Sequence, residues 1–150
     1  MNNLISIESL IKKLHKEVIE ICKDKPCSYV ILFGSYARGD VKPYSDIDLA
    51  IKFNKKVDYL KESFEISYKL EEKLGLKIDV IPLNIADIIL QYEVFSNGKL
   101  IYYRDYYEFL DDFINAIDKW MDFEYHFNKF FRNIIKEMDN AISRYKSENR

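Results

Sequence analysis

Asp46-Ile47-Asp48 sets two carboxylates two positions apart, and Asp79 stands alone in the apolar run Ile78-Asp79-Val80-Ile81. On a strand, residues two apart share a face. Asp46 and Asp48 then project side by side, while Ile47 points to the other face and can enter a core. Two ionised carboxylates ~5 Å apart repel by roughly 3 kcal/mol at an effective dielectric near 20. A shared proton or a cation between them relieves that repulsion. Mg²⁺ suits the position, because it takes oxygen ligands and binds through one or two carboxylates plus substrate phosphates. A lone aspartate inside a buried strand is costly unless paired or metal-bound. If the strand carrying Asp79 lies beside the strand carrying Asp48, three carboxylates gather at one end of a sheet. Such a trio can hold two metals in line with a transferring phosphoryl group.

Gly34-Ser35 supplies the anion-binding half of that chemistry. The apolar run Tyr29-Val30-Ile31-Leu32-Phe33 leads straight into Gly34, which permits a sharp turn or a close backbone approach to a ligand. A helix starting at Ser35 would aim its N-terminal amides at phosphate. Asp-x-Asp alone and Gly-Ser alone are weak signals. The ordered combination of apolar strand, Gly-Ser, loop, Asp-x-Asp strand and a further Asp strand is a strong one.

The elements that must position these residues follow from periodicity. Ile7, Leu10, Ile11, Leu14, Val18 and Ile21 recur at helical spacing and predict a helix over Ile5 to Ile21, with Pro26 beyond its end. Residues 29–33, 46–51 and 77–81 predict three strands. Tyr59, Leu60, Phe64, Ile66, Leu70 and Leu74 predict a helix over residues 58–74, closed by Gly75. Asn84 reads as the N-cap of a helix running to about Phe95. Asn97-Gly98 reads as a turn, and residues 100–103 as a short edge strand. From Asp105 onward neither glycine nor proline occurs. Tyr106, Leu110, Phe113, Ile117, Trp120, Phe127, Phe131, Ile134 and Met138 step by three or four, with one skip at Glu124. They predict one long helix, or two broken near Asp122. The fold class is mixed α/β, one domain over residues 1–150, with a core to about residue 103 and a helical segment from about 105 to 150.

Composition bounds the function. The chain has 150 residues, 48% hydrophobic and 32% charged, and a formal net charge of 23 − 25 = −2. That balance argues against general adhesion to nucleic acid or to an anionic membrane. No apolar stretch approaches ~20 residues, so no membrane-spanning helix is expected. The polar start MNNLISIESLIKKLHKE lacks a signal-peptide core, which predicts a cytoplasmic protein. Cys22 and Cys27 form neither a zinc motif nor a disulfide framework and read as two reduced thiols.

Other residues carry competing readings. Arg38 either touches a triphosphate or ties down the Gly34 loop through a carboxylate. Tyr36 stacks on a base or packs under the loop. Lys42, Lys77 and Arg104 read as surface charges, and His15 and His126 lack partners at ligand spacing. The aromatics of the C-terminal segment exceed one helical stripe. Either they all serve the core, or the excess forms a surface for a partner or a second copy.

The stretch Gly34-Ser35-Tyr36-Ala37-Arg38-Gly39-Asp40 with Ser45-Asp46-Ile47-Asp48-Leu49 resembles the nucleotidyltransferase superfamily of DNA polymerase beta. It is similar in particular to the minimal nucleotidyltransferases. Residues 77–84, Asn97-Gly98-Lys99-Leu100-Ile101-Tyr102 and Trp120-Met121-Asp122-Phe123 resemble the MntA-type antitoxin branch, so the resemblance spans nearly the whole chain. Trp120-Met121 stands where Tyr-Leu is commoner in that branch, a mild change in size. The resemblance implies the nucleotidyltransferase fold, a mixed sheet flanked by helices. It implies Asp46 and Asp48 as Mg²⁺ ligands, Asp79 as a further ligand or base, and ATP held at Gly34, Ser35 and Arg38. It also implies a partner, a HEPN-domain RNase toxin, silenced when AMP passes from ATP to one of its tyrosines.

Two rival readings remain at this level. One is a binding module that neutralises its toxin by occlusion, without catalysis. The other is nucleotidyl transfer to a small molecule. A homo- or hetero-oligomer through the C-terminal helices is a further expectation.

Overall fold

The computed structural model describes residues 2–150, with side chains described from Ile7 onward; the side chain of Ile5, where the first helix was expected to start, lies outside them. Helix α1 (Asn2–Cys22) buries Leu14, Val18 and Cys22 at helical spacing and leaves its lysines in solvent. Strand β1 (Cys27–Phe33) follows, buried on both faces as its unbroken apolar run requires. Helix α2 (Ser35–Arg38) is a single turn. Strand β2 (Ile47–Phe53), helix α3 (Tyr59–Leu74) and strand β3 (Ile78–Pro82) form a crossover unit in which β2 and β3 run parallel. Helix α4 (Ile88–Asn97), strand β4 (Lys99–Tyr103) and helix α5 (Tyr106–Glu148) complete the chain.

The sheet order is β3-β2-β1-β4, with β1 antiparallel to both β2 and β4, so the sheet is mixed and β4 lies at its edge as expected. Alternation along β1 divides the core between the two faces. Val30 and Leu32 pack with Leu14 and Val18 of α1 and with Ile66 and Leu70 of α3. Tyr29 and Ile31 pack on the opposite face with Val94, Phe95 and Ala116 from α4 and α5. Ile47, Leu49 and Ile51 of β2 join the first cluster, and Ala50 joins the second. Asp48, two residues before Ala50, therefore projects from the α4/α5 face.

The structure corrects several local expectations. Leu60 and Phe64 belong to the exposed face of α3, at 54% and 71% exposure, and Ser63, Ile66 and Leu70 form its buried stripe. Asn84 does not cap a helix. A single 3₁₀ turn occupies Leu83–Ile85, and the Asn84 amide instead brackets Phe53, accepting from its N–H at 2.9 Å and donating to its carbonyl at 3.0 Å. Asp87 is the true cap of α4, accepting from the Leu90 amide at 2.8 Å. Asp46 sits one residue ahead of β2 rather than within it. α5 runs unbroken through Asp122, which decides between the one-helix and two-helix readings. Its first half is pinned to β1: Tyr29 donates to Asp112 at 2.7 Å and Ser28 donates to Glu108 at 2.9 Å. Arg104 is more than a surface charge. Its guanidinium donates to the Cys22 carbonyl at 2.9 Å and to the Lys25 carbonyl, which closes the end of α1 onto β1. Cys22 and Cys27 are buried free thiols. Among the described residues no helix is long and apolar enough to cross a membrane.

Candidate active site

The C-terminal end of β1 and the N-terminal ends of β2 and β3 meet at one end of the sheet. β1 delivers Gly34 there at φ 73° and ψ −154°. That conformation is essentially confined to glycine, because a Cβ would meet the neighbouring backbone. Space imposes the same demand. A Cβ built on Gly34 would overlap the carboxylate of Asp48 and lie 3.2 Å from its Cγ. The β1/β2 register, which pairs Phe33 with Asp48, produces this closeness. The turn of α2 bonds the amides of Ala37 and Arg38 to the Gly34 carbonyl, at 3.1 Å each. The amides of Ser35 and Tyr36, at the head of the turn, are those a helix start leaves without an intrahelical partner. Gly39 ends the turn at φ 85°.

The parallel register of β2 and β3 sets Asp48 directly across from Asp79. Asp46 stands at the mouth of β2, where the Ile47 amide donates to the Lys77 carbonyl at 3.1 Å. Asp46 and Asp48 are half-buried and Asp79 is exposed. Burial lifts the pKa of Asp48 above the ordinary carboxylate value, and the charges of Asp79 and then Asp46 push it further the same way. Arg38 and Lys77 act in the opposite direction. The three aspartates thus form one electrostatic unit.

They do not close into a metal cage as they stand. Among the described residues no three His, Cys, Asp or Glu side chains are gathered tightly enough to hold an ion. Asp46 is engaged by Lys77, whose Nζ lies 3.4 Å from its Oδ2. The donor set nonetheless fits a hard divalent cation: it offers carboxylate oxygens alone, one of them held where burial and then its like-charged neighbours disfavour ionisation.

Arg38 is 45% exposed and forms ion pairs with Asp40 and with Glu93 of α4, at 3.5 Å each. Of its two expected roles, this geometry favours tying down the loop. Lys77, read from sequence as a plain surface charge, is a member of the site. The signal lay in register, since a parallel neighbour that pairs Ile78 with Ile47 must bring Lys77 beside Asp46. Glu93 had no sequence signal. Lys42 and Tyr44 are exposed, and Tyr36 packs partly into the core beneath the loop. A separate polar cavity of about 210 Å³, lined among others by Lys52, Asn84, Asp112 and Lys119, opens at the other end of the sheet.

Comparison with known proteins agrees with this geometry. The family described as polymerase beta, nucleotidyltransferase matches residues 16–107, more than half of the chain. A chain of Methanocaldococcus jannaschii to which protein adenylyltransferase activity is ascribed is 42% identical over 84 residues, 56% of this chain and 93% of that relative. The protein adenylyltransferase MntA of Shewanella oneidensis is 28% identical over 88 residues, 57% of this chain and 63% of MntA. Among solved structures, a toxin–antitoxin complex with AMP-PNP superposes with a TM-score of 0.68 at 22% identity, covering 81% of this chain and 98% of that one. A minimal nucleotidyltransferase superposes with a TM-score of 0.54 at 26% identity, covering 62% and 93%. The expected mixed sheet, the Gly34 turn and the aspartates on adjacent strands are all present in one nucleotidyltransferase fold. The chain belongs to the polymerase beta nucleotidyltransferase family.

Proposed function

We propose that this nucleotidyltransferase is an antitoxin that transfers AMP from ATP to a tyrosine hydroxyl of a HEPN-domain toxin. The observation that carries the reading is the opposition of Asp48 and Asp79 across parallel strands, with Asp46 beside them and the Gly34-Ser35 turn against Asp48. Relatives support the acceptor: MntA carries the name protein adenylyltransferase, and an MNT antitoxin of Shewanella oneidensis has been solved with its tri-AMPylated HEPN toxin.

Each residue has a role in this reading. The amides of Ser35 and Tyr36 and the Ser35 hydroxyl bind the β- and γ-phosphates at the head of the α2 turn. Arg38 holds that turn against α4 through Glu93. Asp46, Asp48 and Asp79 would hold Mg²⁺, two ions in the fullest arrangement, and bound Mg²⁺ would neutralise charge on the phosphates. Asp79, the most exposed of the three, accepts or orients the proton of the incoming tyrosine hydroxyl. The tyrosine oxygen forms a bond to the α-phosphorus in line as the bond to pyrophosphate breaks. The protein contributes chiefly positioning and charge stabilisation.

The test uses the small helical protein encoded next to this chain's gene, if it carries an Arg-x₄₋₆-His motif. Incubation with labelled ATP and Mg²⁺, then intact-mass measurement and peptide mapping, should show whole AMP units on a tyrosine of that protein. An unmodified toxin that is nevertheless neutralised would establish occlusion instead.

A further inference from the structure

The face of α5 that meets the domain continues past the domain's edge with none of the described residues covering it. From Phe109 to Trp120 that face is covered by the chain itself. Phe109 and Phe113 pack on Phe95, Ala116 is buried, and Trp120 stacks on Tyr92 with ring centroids 4.3 Å apart. Beyond Trp120 the same phase carries Phe127, Phe131, Ile134, Met138, Ala141 and Tyr145, at steps of four, three, four, three and four. Trp120, Phe127, Ile134 and Ala141 recur every seven residues, as do Phe131, Met138 and Tyr145, the repeat that keeps one seam turned toward one neighbouring helix. Yet Phe127, Phe131, Met138 and Tyr145 are each more than half exposed. Phe130, Ile135 and Ile142 flank the seam and widen it, at 63%, 44% and 50% exposure. Lys129, Lys136 and Ser143 occupy the opposite side of the helix. The matched family region ends at residue 107, so this seam lies outside it.

We propose that the seam is closed by the same segment of a second copy of this chain, running antiparallel about a two-fold axis between Ile134 and Met138. Three observations single out that occupant. The first is steric. The seam faces the same side as the chain's own sheet, so a helix lying along it must stop where the domain begins, near Trp120. Glu124 to Glu148 is 25 residues, about 37 Å of helix. In antiparallel register the partner's last turn arrives at Glu124 just as the domain edge is reached. A parallel partner would have to thread its own α5 through the space that β1 and α4 already fill.

The second observation is charge. Residues 122–128, which that register sets beside residues 144–150, carry Asp122 and Glu124 and neither lysine nor arginine, so 0 − 2 = −2. Residues 144–150 carry Arg144, Lys146 and Arg150 against Glu148, so 3 − 1 = +2. Antiparallel pairing lays the basic end of each helix along the acidic stretch of the other, twice over. Parallel pairing would set like against like.

The third is fit and size. The antiparallel register stacks Phe127 on Tyr145, Phe131 on Ala141 and Ile134 on Met138, an aromatic pair toward each end of the seam and a large side chain against a small or flexible one toward its middle. Aromatic side chains bury 150–250 Å² each when fully covered. The exposed halves of the seam and flank residues therefore amount to roughly 800 Å² per chain, about what one partner contributes to a stable interface.

The test is the mass of the isolated full-length chain in solution, by light scattering coupled to gel filtration. The expected result is the mass of two chains, reduced to one by the pair Phe131→Glu and Met138→Glu without change in the melting of the sheet domain. Two single-cysteine variants report the register independently. The two-fold sets Ile135 beside its own copy, so Ile135→Cys should link to itself under mild oxidation while Ile142→Cys should not. A wild-type chain that stays monomeric up to its solubility limit overturns the proposal, even if a separate helical protein then covers the seam. So does a dimer in which Ile142→Cys links and Ile135→Cys does not. Neither readout involves nucleotide, so failure here leaves the transferase reading untouched and the converse holds.

Discussion

Gly34 lies so close to Asp48 that any side chain at position 34 would occupy the space of the Asp48 carboxylate. The backbone at Gly34 is itself confined to glycine, so steric and conformational demands coincide at the one residue that joins the α2 turn to the carboxylates. Gly34→Ala should therefore lose transfer activity at least ~100-fold, the scale of removing one organised electrostatic contact. It should cost the fold about 1–3 kcal/mol of backbone strain. Urea unfolding beside an initial-rate assay separates the two effects.

Asp48 gives a pH signature. Its folded-state pKa is raised, by burial first and then by Asp79 and Asp46, above an unfolded value near ~3.9. The folded chain then holds a proton that the unfolded chain has released, so stability falls as pH rises through the interval between the two values. Above the folded pKa the ionised carboxylate is a full burden; below the unfolded pKa it is none. Asp48→Asn should thus melt higher than wild type at neutral pH, with the difference vanishing as pH drops through that interval. The same variant should lose activity. Thermal melts at a series of pH values check the trend, and a variant less stable than wild type at neutral pH would refute it.

Lys77 competes for Asp46. Their ion pair is 3.4 Å long and Lys77 is 67% exposed, so the pair is a surface contact. Lys77→Ala should change stability by under ~1 kcal/mol. It should also tighten Mg²⁺ binding, because Asp46 then has no competing cation. A metal titration of both proteins decides the point.

Arg38 and Glu93 link the α2 turn to α4. Exchanging the charges, Arg38→Glu with Glu93→Arg, should restore part of the activity that either change alone removes. The coupling should be about 0.5–1 kcal/mol in a double-mutant cycle. Additive losses would show instead that Arg38 acts on nucleotide directly.

The gathering of the candidate residues was more legible in the sequence than the elements that carry them. Asp46, Asp48, Asp79 and Gly34 are each misplaced by local criteria: acids in or beside apolar strands, and a glycine at a strand end. Misplaced residues are what sequence reading detects best. Lys77 escaped because its neighbour depends on which strand lies beside β2 and whether it runs parallel, and only the folded sheet fixes that. Asn84 was misread because an Asn ahead of a helix normally caps it, whereas here tertiary contact with Phe53 claimed its amide. Leu60 and Phe64 misled because apolar spacing identifies a helix without saying which of two apolar faces turns inward. For α5 the periodicity revealed the helix. Which half the domain covers depends on the reach of α4, which no local pattern encodes.

The most direct measurement is calorimetric titration of AMP-PNP, with and without Mg²⁺, into the wild-type chain and into Asp46→Asn, Asp48→Asn and Asp79→Asn. The account predicts nucleotide uptake that requires Mg²⁺ in the wild type and is lost or sharply weakened in each variant. Equal binding without Mg²⁺, or variants that bind as the wild type does, would contradict it.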